Sequence, residues 1–467
     1  MLILDLDLTD PFEALLRLDG LARPVFFDSA MRDPRLGRFS SVAADPFGTF
    51  EVRGGTAAWN GTPLAGDPLD RLAERLALYR QETVPGPGPF QGGAAGFLAY
   101  DFGRDLERLP EPAFAEPAIP EVLLHFYDVV VSFDHVANRS FVVSTGWPES
   151  DPVSRRGRAE ARAAEFLARL ERPAKPALGE ATAELAWGSN FTRESYAAAV
   201  ARVVEWIRAG DIFQANIAQR FSAPLALGFD PLAFYGRLRV VNPAPFAAWL
   251  DCGGFQIASS SPERFVTVVG DEVEARPIKG TARRSPDARE DAARAAELIA
   301  SEKDRAENVM IVDLLRNDLS RVCRPESVKV PVLCGLESYA SVHHLTSVVT
   351  GRLEAGRGPV DLIRASFPGG SITGAPKIRA MEIITEVERW ARGVYCGSIG
   401  FLGFDGSMDL NIAIRTVTFR DGEAVFHAGG GVTMLSDPVA EYEETLTKAA
   451  RIFEAFRPER GEGTGGR

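Results

Sequence analysis

The stretch FTRESYAAAVARVVEWIRAGDIFQANIAQRF, residues 191–221, carries the signals of one helix followed by one strand. Thr192 is a suitable N-cap, and Gly210 is a suitable end because glycine tolerates the left-handed backbone that closes many helices. The apolar side chains that share one helical face between them are Tyr196, Val200, Val203, Val204 and Ile207. Residues after Gly210 alternate as in a strand, and strands and long helices then follow each other to about residue 455. The stretch therefore predicts a mixed α/β (α+β) fold.

Outward from this stretch, the chain divides into four regions. Residues 1–150 contain β-branched and aromatic runs between Gly, Pro and Asp, which predict strands and turns. Residues 151–189 contain a charged helix and then a connector with prolines and low hydrophobicity. Residues 190–455 hold the alternating helices and strands. The glycine-rich end, 456–467, is expected to form a disordered tail.

Composition argues against several classes of protein. The 467 residues include 52 basic and 64 acidic side chains, a net charge of -12, without a basic stripe, so we expect no nucleic-acid partner. No run of 18 apolar residues occurs, which predicts no membrane span, and the acidic start MLILDLDLTD does not resemble a signal peptide. The 4 cysteines are far apart and form no CxxC pair. Reduced thiols and a cytoplasmic location are therefore expected.

Two pairs of acidic residues have the spacing of one helical face. Asp304 and Glu307 are three apart in SEKDRAENVMIVDLLRND, and Glu441 and Glu444 are three apart in AEYEETLTKA. If the two faces were opposed, they would form an oxygen-rich site suited to Mg²⁺. In the alternative, the acids form ion pairs on solvated faces with Lys303, Arg305 and Lys448. Spacing alone favours that alternative.

Two glycine clusters and one arginine are further candidates for a site. FPGGSITGAPKIRAMEII (367–384) is a glycine-rich loop that opens a helix; without a GK[ST] ending it is not a P-loop, but its amides could cradle a carboxylate. HAGGGV (427–432) could approach an anion closely or form only a bulge. Arg415 in NIAIRTV lies within an alternating apolar pattern, which predicts a strand, and an arginine buried there requires an anionic partner.

Single polar residues also occur where a buried strand or turn is expected. Lys279 in RPIKGTARR stands at the end of a predicted strand, where a lysine facing a pocket could be a nucleophile, an anion contact or a base. Glu263 in SSSPERF follows a proline at a turn, and a surface acid is the simpler interpretation. His343 and His344 are adjacent, so on a strand they would face opposite sides, one toward the core and one toward a site.

Together these stretches resemble one family. SPERF, RPIKGT, DRAENVMIVDLLRND, SVHHLTS, FPGGSITGAPKIRAMEII, RGVYCGSIGF, IAIRT and EYEETLTKA occur in this order and are similar to motifs of the chorismate-utilising enzymes. That family includes anthranilate synthase component I, aminodeoxychorismate synthase component I, isochorismate synthase and salicylate synthase. The resemblance covers nearly the whole chain. It implies two antiparallel sheets packed as a sandwich, helices outside and an active-site cleft.

Two positions separate the branches of this family. Lys279 stands in P-I-K-G-T, as in aminodeoxychorismate synthases, whereas anthranilate synthases typically have P-I-A-G-T. Gln214 stands where isochorismate and salicylate synthases usually carry a water-activating lysine, which argues against water as the nucleophile. One departure is VTMLSDP (432–438), where many relatives have I-V-A-D-S.

The resemblance implies roles for the residues that match its motifs. Lys279 would attack C2 of chorismate as the C4 hydroxyl departs, which divides one difficult substitution into two easier ones. Glu263 would be the general acid for that hydroxyl. His344 and Thr281 match positions near the ring, and Ser371 matches a position near the enolpyruvyl group.

The resemblance also implies a metal site and an anion site. Mg²⁺ would hold and neutralise the ring carboxylate. Its ligands would be Glu307 and Glu444, with Asp304 and Glu441 close behind. The residues that would grip the carboxylates of chorismate are Tyr395, Arg415, Gly429, Gly431 and Lys448.

By the same resemblance, ammonia from a separate glutamine amidotransferase subunit would add at C4 of chorismate. The product would be 4-amino-4-deoxychorismate, the precursor of 4-aminobenzoate in folate biosynthesis. The alternatives are anthranilate synthase component I, which predicts alanine at position 279, and a catalytically silent chorismate-binding subunit, which predicts loss of Glu263, Glu307 or Glu444. GRFSSVAADP (37–46) lies where anthranilate synthases bind tryptophan, and the resemblance leaves open whether this chain does so.

Overall fold

The fold is described from a computed structural model, which covers residues 1–174, 179, 181–339 and 342–458. Part of the predicted connector, 175–178 and 180, and most of the predicted tail, 459–467, lie outside the described residues. The last helix extends through Phe456, so the predicted tail cannot begin at that residue.

The strands of the described chain pair only in the antiparallel sense. They are β1 Leu2–Leu6, β2 Val25–Asp28, β3 Phe39–Ala43, β4 Gly48–Arg53, β5 Thr56–Trp59, β6 Thr62–Leu64, β7 Gly93–Leu98, β8 Val122–Tyr127, β9 Val129–Asp134, β10 Arg139–Ser144, β11 Gly188–Ser189, β12 Gln214–Pro224, β13 Phe246–Asp251, β14 Phe255–Ser261, β15 Arg264–Val269, β16 Glu272–Ala275, β17 Ile278–Arg283, β18 Lys329–Ser338, β19 Val342–Arg352, β20 Gly374–Ala375, β21 Ser398–Gly403, β22 Met408–Asn411, β23 Thr416–Arg420 and β24 Glu423–Val432.

Helices separate these strands, most of them after the connector. They are α1 Pro11–Arg17, α2 Pro68–Ala77, α3 Gly103–Leu106, α4 Pro152–Leu170, α5 Arg193–Ala209, α6 Pro231–Val241, α7 Ala288–Ala300, α8 Glu302–Ser320, α9 Pro359–Ser366, α10 Lys377–Glu388 and α11 Pro438–Phe456. None of the described helices combines the length and apolar character needed to cross a membrane. The four cysteines are buried and unpaired.

The strands form two large sheets, each 12-stranded. The first has the order β1-β10-β9-β3-β2-β13-β14-β23-β24-β12-β11, with β20 beside β12. The second has the order β17-β19-β16-β15-β22-β21-β7-β8-β4-β5-β6, with β18 beside β19. β2 pairs with β13 and β7 with β21, so both sheets join strands from before and after α4. The predicted N-terminal and catalytic regions therefore share both sheets.

Three apolar layers explain how the sheets and helices pack. In the inner layer, Ala248 and Ile257 of the first sheet meet Phe97 and Phe401 of the second. One outer layer lies under α1, α4, α6 and α11, and the other lies under α2, α8 and α9. Each sheet thus buries one face against the other sheet and one against helices, which confirms the predicted sandwich.

The opening stretch folds as its sequence predicts. The Thr192 hydroxyl accepts the Ser195 amide at 3.2 Å and caps α5, and Gly210 closes the helix at φ 85°. The predicted apolar face of α5 is buried against β12 and α10. β12 begins at Gln214 and runs beside β24, which brings this part of the chain to the candidate site.

Candidate active site

Lys279 connects three segments that are far apart in sequence. It lies on β17, and its Nζ donates to the main-chain carbonyl of Ser371 at 3.1 Å. The same Nζ is 3.9 Å from Glu307 Oε2 on α8. The register of β17 shifts after Lys279 at Gly280, whose φ of 77° suits glycine, and this bulge sets the direction of the lysine. The amine therefore faces the acidic helix and not the solvent.

Glu263 lies between β14 and β15 and is buried, so the surface position that its turn suggests is wrong. Burial raises the pKa of its carboxyl, and the Ser371 hydroxyl, Lys279 and Lys448 offset part of that rise. The Ile412 N–H donates to the Glu263 carbonyl at 3.0 Å and fixes the main chain. A carboxyl with a raised pKa beside a lysine amine is suited to protonate a leaving group.

The two acidic faces predicted from spacing are opposed. Burial raises the pKa of Glu307 on α8, and the charges of Asp304 and of Glu441 on α11 raise it further. Burial also raises the pKa of Glu441, and its neighbour Glu444 adds to the rise. Carboxylates that disfavour one another's ionisation create a place where a cation is stabilised.

Lysine ammonium groups also lie among these acids. Lys448 Nζ is 2.6 Å from Glu444 Oε1 and donates to the Gly429 carbonyl at 3.0 Å. Burial opposes ionisation of Glu444, but Lys448 lowers the pKa of its carboxyl overall. Lys303 Nζ is 3.7 Å from Glu441 Oε1, across the gap between α8 and α11. The acids of α8 and α11 thus face one another and also form ion pairs with lysines. The helical face that carries Glu441 is not solvated, because Glu441 is buried.

The prediction that Arg415 lies inside a strand is wrong. It lies in the connection between β22 and β23 with φ 53°, and this left-handed backbone interrupts the alternation that its sequence suggests. Burial lowers the pKa of its guanidinium, and the charge of Glu263 opposes that shift. Within the described chain, its guanidinium has no hydrogen-bonded partner. Its N–H donors therefore remain available for an anionic ligand.

The glycines at the end of β24 face three different neighbours. A Cβ on Gly430 would meet the carboxylates and the ammonium of α11 at 3.2–3.3 Å. A Cβ on Gly431 would lie 2.1 Å from Gln214 Nε2, and one on Gly429 would lie 2.3 Å from the main chain of β12. Gly430 is absent from the predicted site, although the run of three glycines was the available signal.

The adjacent histidines face opposite sides of β19, as predicted. His344 Nδ1 is 2.9 Å from Thr281 Oγ1, which places this pair together. Burial, with a contribution from Arg415, lowers the pKa of His344 to about 4, so its imidazole is neutral at pH 7. His343 Nε2 lies instead 3.1 Å from Asp291 Oδ1.

Tyr395 is held from two sides. Its ring stacks on His427, with centroids 5.1 Å apart and planes at 15°. The guanidinium of Arg392 lies 5.6 Å from its ring centre. Burial raises the pKa of the phenol well above its ordinary range, so Tyr395 is a hydrogen-bond donor. His427 and Arg392 are missing from the predicted site although they begin the motifs HAGGGV and RGVYCGSIGF, because neither motif indicates that its first residue lies against the ring of Tyr395.

Comparison with known proteins identifies the family to which this arrangement belongs. Residues 26–454 match the family described as chorismate binding enzyme. The chain belongs to the chorismate binding enzyme family. It is 41% identical over 421 residues to aminodeoxychorismate synthase component 1 of Klebsiella aerogenes, covering 89% of this chain and 90% of that protein. It is 40% identical over 453 residues to anthranilate synthase component 1 of Thermus thermophilus, covering 96% of each.

A solved structure of another family member confirms the fold. Anthranilate synthase component I from Streptococcus pneumoniae matches with a TM-score of 0.79 and 35% identity, covering 88% of this chain and 91% of that one. This chorismate binding enzyme is thus similar to relatives of two named activities to nearly the same degree. Overall identity does not separate the two activities, so the residues of the site must.

Proposed function

We propose that this chorismate binding enzyme aminates chorismate at C4 to give 4-amino-4-deoxychorismate. Lys279 carries the proposal, because its amine lies between the Ser371 carbonyl and Glu307, close to buried Glu263. Anthranilate synthase component I is the second candidate, favoured by the relatives from Thermus thermophilus and Streptococcus pneumoniae. That reaction calls for alanine at position 279, where no nucleophile is available.

The chain's own residues can divide the substitution into two steps. The amine of Lys279, once it has lost its proton, adds at C2 of chorismate, the two ring double bonds shift, and the C4–O bond breaks. Glu263 gives its proton to the departing hydroxyl, which leaves as water. Ammonia then adds at C4, the double bonds shift back, and the bond between C2 and Lys279 breaks; the ammonium formed at C4 returns a proton to Glu263. Such covalent catalysis replaces one high barrier with two lower ones.

Positive and polar groups around this centre suit the two carboxylates of chorismate. Arg415 has donors without a partner in the described chain, and Lys448 lies at the glycine run of β24. The phenol of Tyr395 supplies one hydrogen-bond donor, and neutral His344 with Thr281 offers polar contacts near a ring. These groups bind and orient the substrate, which is a substantial part of catalysis when the attack is intramolecular.

The proposal includes Mg²⁺ at the acidic faces. Glu307 and Glu444 would hold it, with Asp304 and Glu441 behind them, and a cation there would offset the rise in the pKa values of Glu307 and Glu441. In the described residues, no group of three or more His, Cys, Asp or Glu is close enough to hold a metal alone. This suits an ion that completes its shell with water and substrate oxygens. When bound, the ion would supply positive charge to the ring carboxylate.

The proposal also names a partner and a place in metabolism. The relatives are named component 1, which supports a second subunit, and we assign that role to a glutamine amidotransferase that supplies ammonia. The product would be converted to 4-aminobenzoate for folate biosynthesis in the cytoplasm. The described site retains Glu263, Glu307 and Glu444 together, which argues against a silent subunit.

Mass-resolved product analysis tests the proposed function. The purified chain is mixed with chorismate, Mg²⁺ and ammonium, and aminodeoxychorismate lyase is added to half of the reaction. We expect an aminated chorismate that the lyase converts to 4-aminobenzoate; EDTA should stop the reaction, and excess Mg²⁺ should restore it. Direct release of anthranilate with pyruvate would establish the second candidate instead. Binding of chorismate without turnover would establish a silent subunit.

A cavity of about 110 Å³ lies between the sheets, away from Lys279. Arg38, Phe39 and Ser41, from the stretch 37–46, line it together with residues of β13 and β21. Aromatic walls with groups of both charges suit an amino acid with an aromatic side chain, so the proposal includes a tryptophan site. Arg264 also lines the cavity and directly follows Glu263, so an occupant could influence the catalytic acid.

Calorimetric titration tests the tryptophan site. Tryptophan is expected to bind saturably, and leucine is expected not to. Ser41→Phe should weaken tryptophan binding at least about tenfold, a change of 1.4 kcal/mol, because the added ring occupies the cavity. Its circular dichroism spectrum and its Tm should stay close to those of wild type, which controls for folding. Unchanged tryptophan affinity in Ser41→Phe would place the ligand elsewhere.

A further inference from the structure

The ion pair between Glu388 and Arg392 lies behind the site and is almost wholly buried, with 3% and 1% of the side chains exposed. Arg392 Nε donates to Glu388 Oε2 at 2.9 Å, and its Nη2 donates to Oε1 at 2.6 Å. Two apolar side chains of similar size often stabilise a fold as well as such a pair, because desolvation offsets most of the attraction. Net stability is therefore a weak explanation for this pair.

The side chains of Glu388 and Arg392 also form hydrogen bonds with main-chain groups of two other segments. Arg392 Nη1 donates to the Ile372 carbonyl at 3.1 Å, and Nη2 donates to the Asn216 carbonyl at 2.6 Å. The Ala218 N–H donates to Glu388 Oε1 at 2.8 Å. One buried pair thus joins the loop before α10 to strand β12.

In the loop before α10, the carbonyl that accepts from Arg392 lies one residue from the carbonyl that accepts from Lys279. Ile372 directly follows Ser371, whose carbonyl accepts from Lys279 Nζ at 3.1 Å. The guanidinium of Arg392 also lies 5.6 Å from the ring centre of Tyr395. A shift of this loop would move the Ser371 carbonyl and, with it, the lysine amine.

On the strand side, the contacts set the position of the glycine run. Asn216 pairs in register with Gly431, and Ala218 pairs with Gly429. The Gly429 carbonyl accepts from Lys448, so the position of β12 is passed on to a proposed substrate contact. The loop before α10 and the glycine run of β24 both contribute groups to the proposed site. The Glu388–Arg392 ion pair fixes the distance between the loop and β12, which pairs with the glycine run.

We infer that Arg392, oriented by Glu388, is a positioning residue that holds the Ser371 loop and the β12–β24 glycine run in place relative to Lys279. The inference rests on the proposed function for the role of Lys279. The expected effect of Arg392 on chorismate binding, however, is the same whether the enzyme forms 4-amino-4-deoxychorismate or anthranilate. A misplacement of about 1 Å can lower the rate by roughly 10²-fold, so the pair can affect catalysis without touching substrate.

Three variants separate positioning from stability. Arg392→Met leaves Glu388 buried without its partner and is expected to lower both Tm and kcat/KM. The double variant Glu388→Met with Arg392→Met removes both charges, so its Tm should recover toward wild type. Its kcat/KM should stay lowered by roughly 10²-fold, and its Kd for chorismate by calorimetry should stay raised, because the main-chain hydrogen bonds are not restored. Arg392→Lys keeps the positive charge but loses the paired N–H donors of the guanidinium, so its Tm and kcat/KM should lie between those of wild type and Arg392→Met.

Arg162→Met is the matched control. Arg162 is also a largely buried arginine, 3.4 Å from buried Asp128, but it lies on α4. It should lose Tm without a change in kcat, KM or chorismate Kd. A double variant of Glu388 and Arg392 that regains both Tm and kcat/KM would show a purely structural pair and overturn the inference. If the wild type binds chorismate but forms no aminated product, the proposed function fails, and the chorismate Kd of the double variant still decides the positioning role.

Discussion

Replacing Lys279 with alanine is expected to lower kcat for amination of chorismate by at least about a thousandfold, because the proposed covalent route loses its nucleophile. The variant should fold normally, since among the described residues the lysine side chain hydrogen-bonds only Ser371 and forms an ion pair only with Glu307, at the edge of the second sheet. Rapid-quench kinetics with chorismate, Mg²⁺ and ammonium measures the effect. Intact-mass analysis of wild type without ammonium should show an adduct of chorismate less water that the variant lacks.

Lys279→Arg is the matched control for the electrostatic part of this effect. A guanidinium places a positive charge beside Glu307 but stays protonated and cannot attack C2. If the lysine acts as the nucleophile, the arginine variant should be about as slow as the alanine variant, with a smaller change in Kd for chorismate. An arginine variant within tenfold of wild type would show that Lys279 only positions the substrate.

The fold could be predicted from sequence where the signals are local. Thr192, the apolar face of α5 and Gly210 specify a helix through neighbouring residues, and the structure has that helix with that cap and end. The order of the strands within each sheet could not be predicted. β2 pairs with β13 and β7 with β21 across hundreds of residues, and alternation along one strand contains no information about its partner.

The site shows the same division. Spacing alone places Glu307 and Glu444 on helical faces, but only the packing of α8 and α11 opposes those faces. The alternation around Arg415 predicts a strand, whereas its left-handed backbone depends on the turn between β22 and β23. The side of β24 on which Gly430 faces α11 follows from the pairing of β24 with β12. The proposed role of Arg392 follows from its hydrogen bonds to carbonyls on two distant segments. Motif resemblance supplied residues that physical spacing could not.

Glu263→Gln is the second substitution with a large expected effect. A glutamine is close in shape but has no acidic proton to give to the departing C4 hydroxyl, so kcat should fall by roughly 10²–10⁴-fold. The Kd for chorismate should change little, because Arg415 and Lys448 remain to bind the carboxylates. Glu263→Asp is the control, since it keeps an acid one methylene short of its place. Partial activity in the aspartate variant and almost none in the glutamine variant would separate acid catalysis from packing.

The pH dependence gives an independent check on Glu263. Burial raises its pKa above the ordinary 4.5, so the folded state holds this proton more tightly than the unfolded chain does. Stability from this group is therefore complete below the unfolded pKa and falls as pH rises through the folded pKa. Relative to wild type, Glu263→Gln should gain Tm as pH rises through that window, while its kcat loses the alkaline limb that deprotonation of the acid produces. A glutamine variant whose kcat stays near wild type, with the alkaline limb intact, would assign the general acid to another residue.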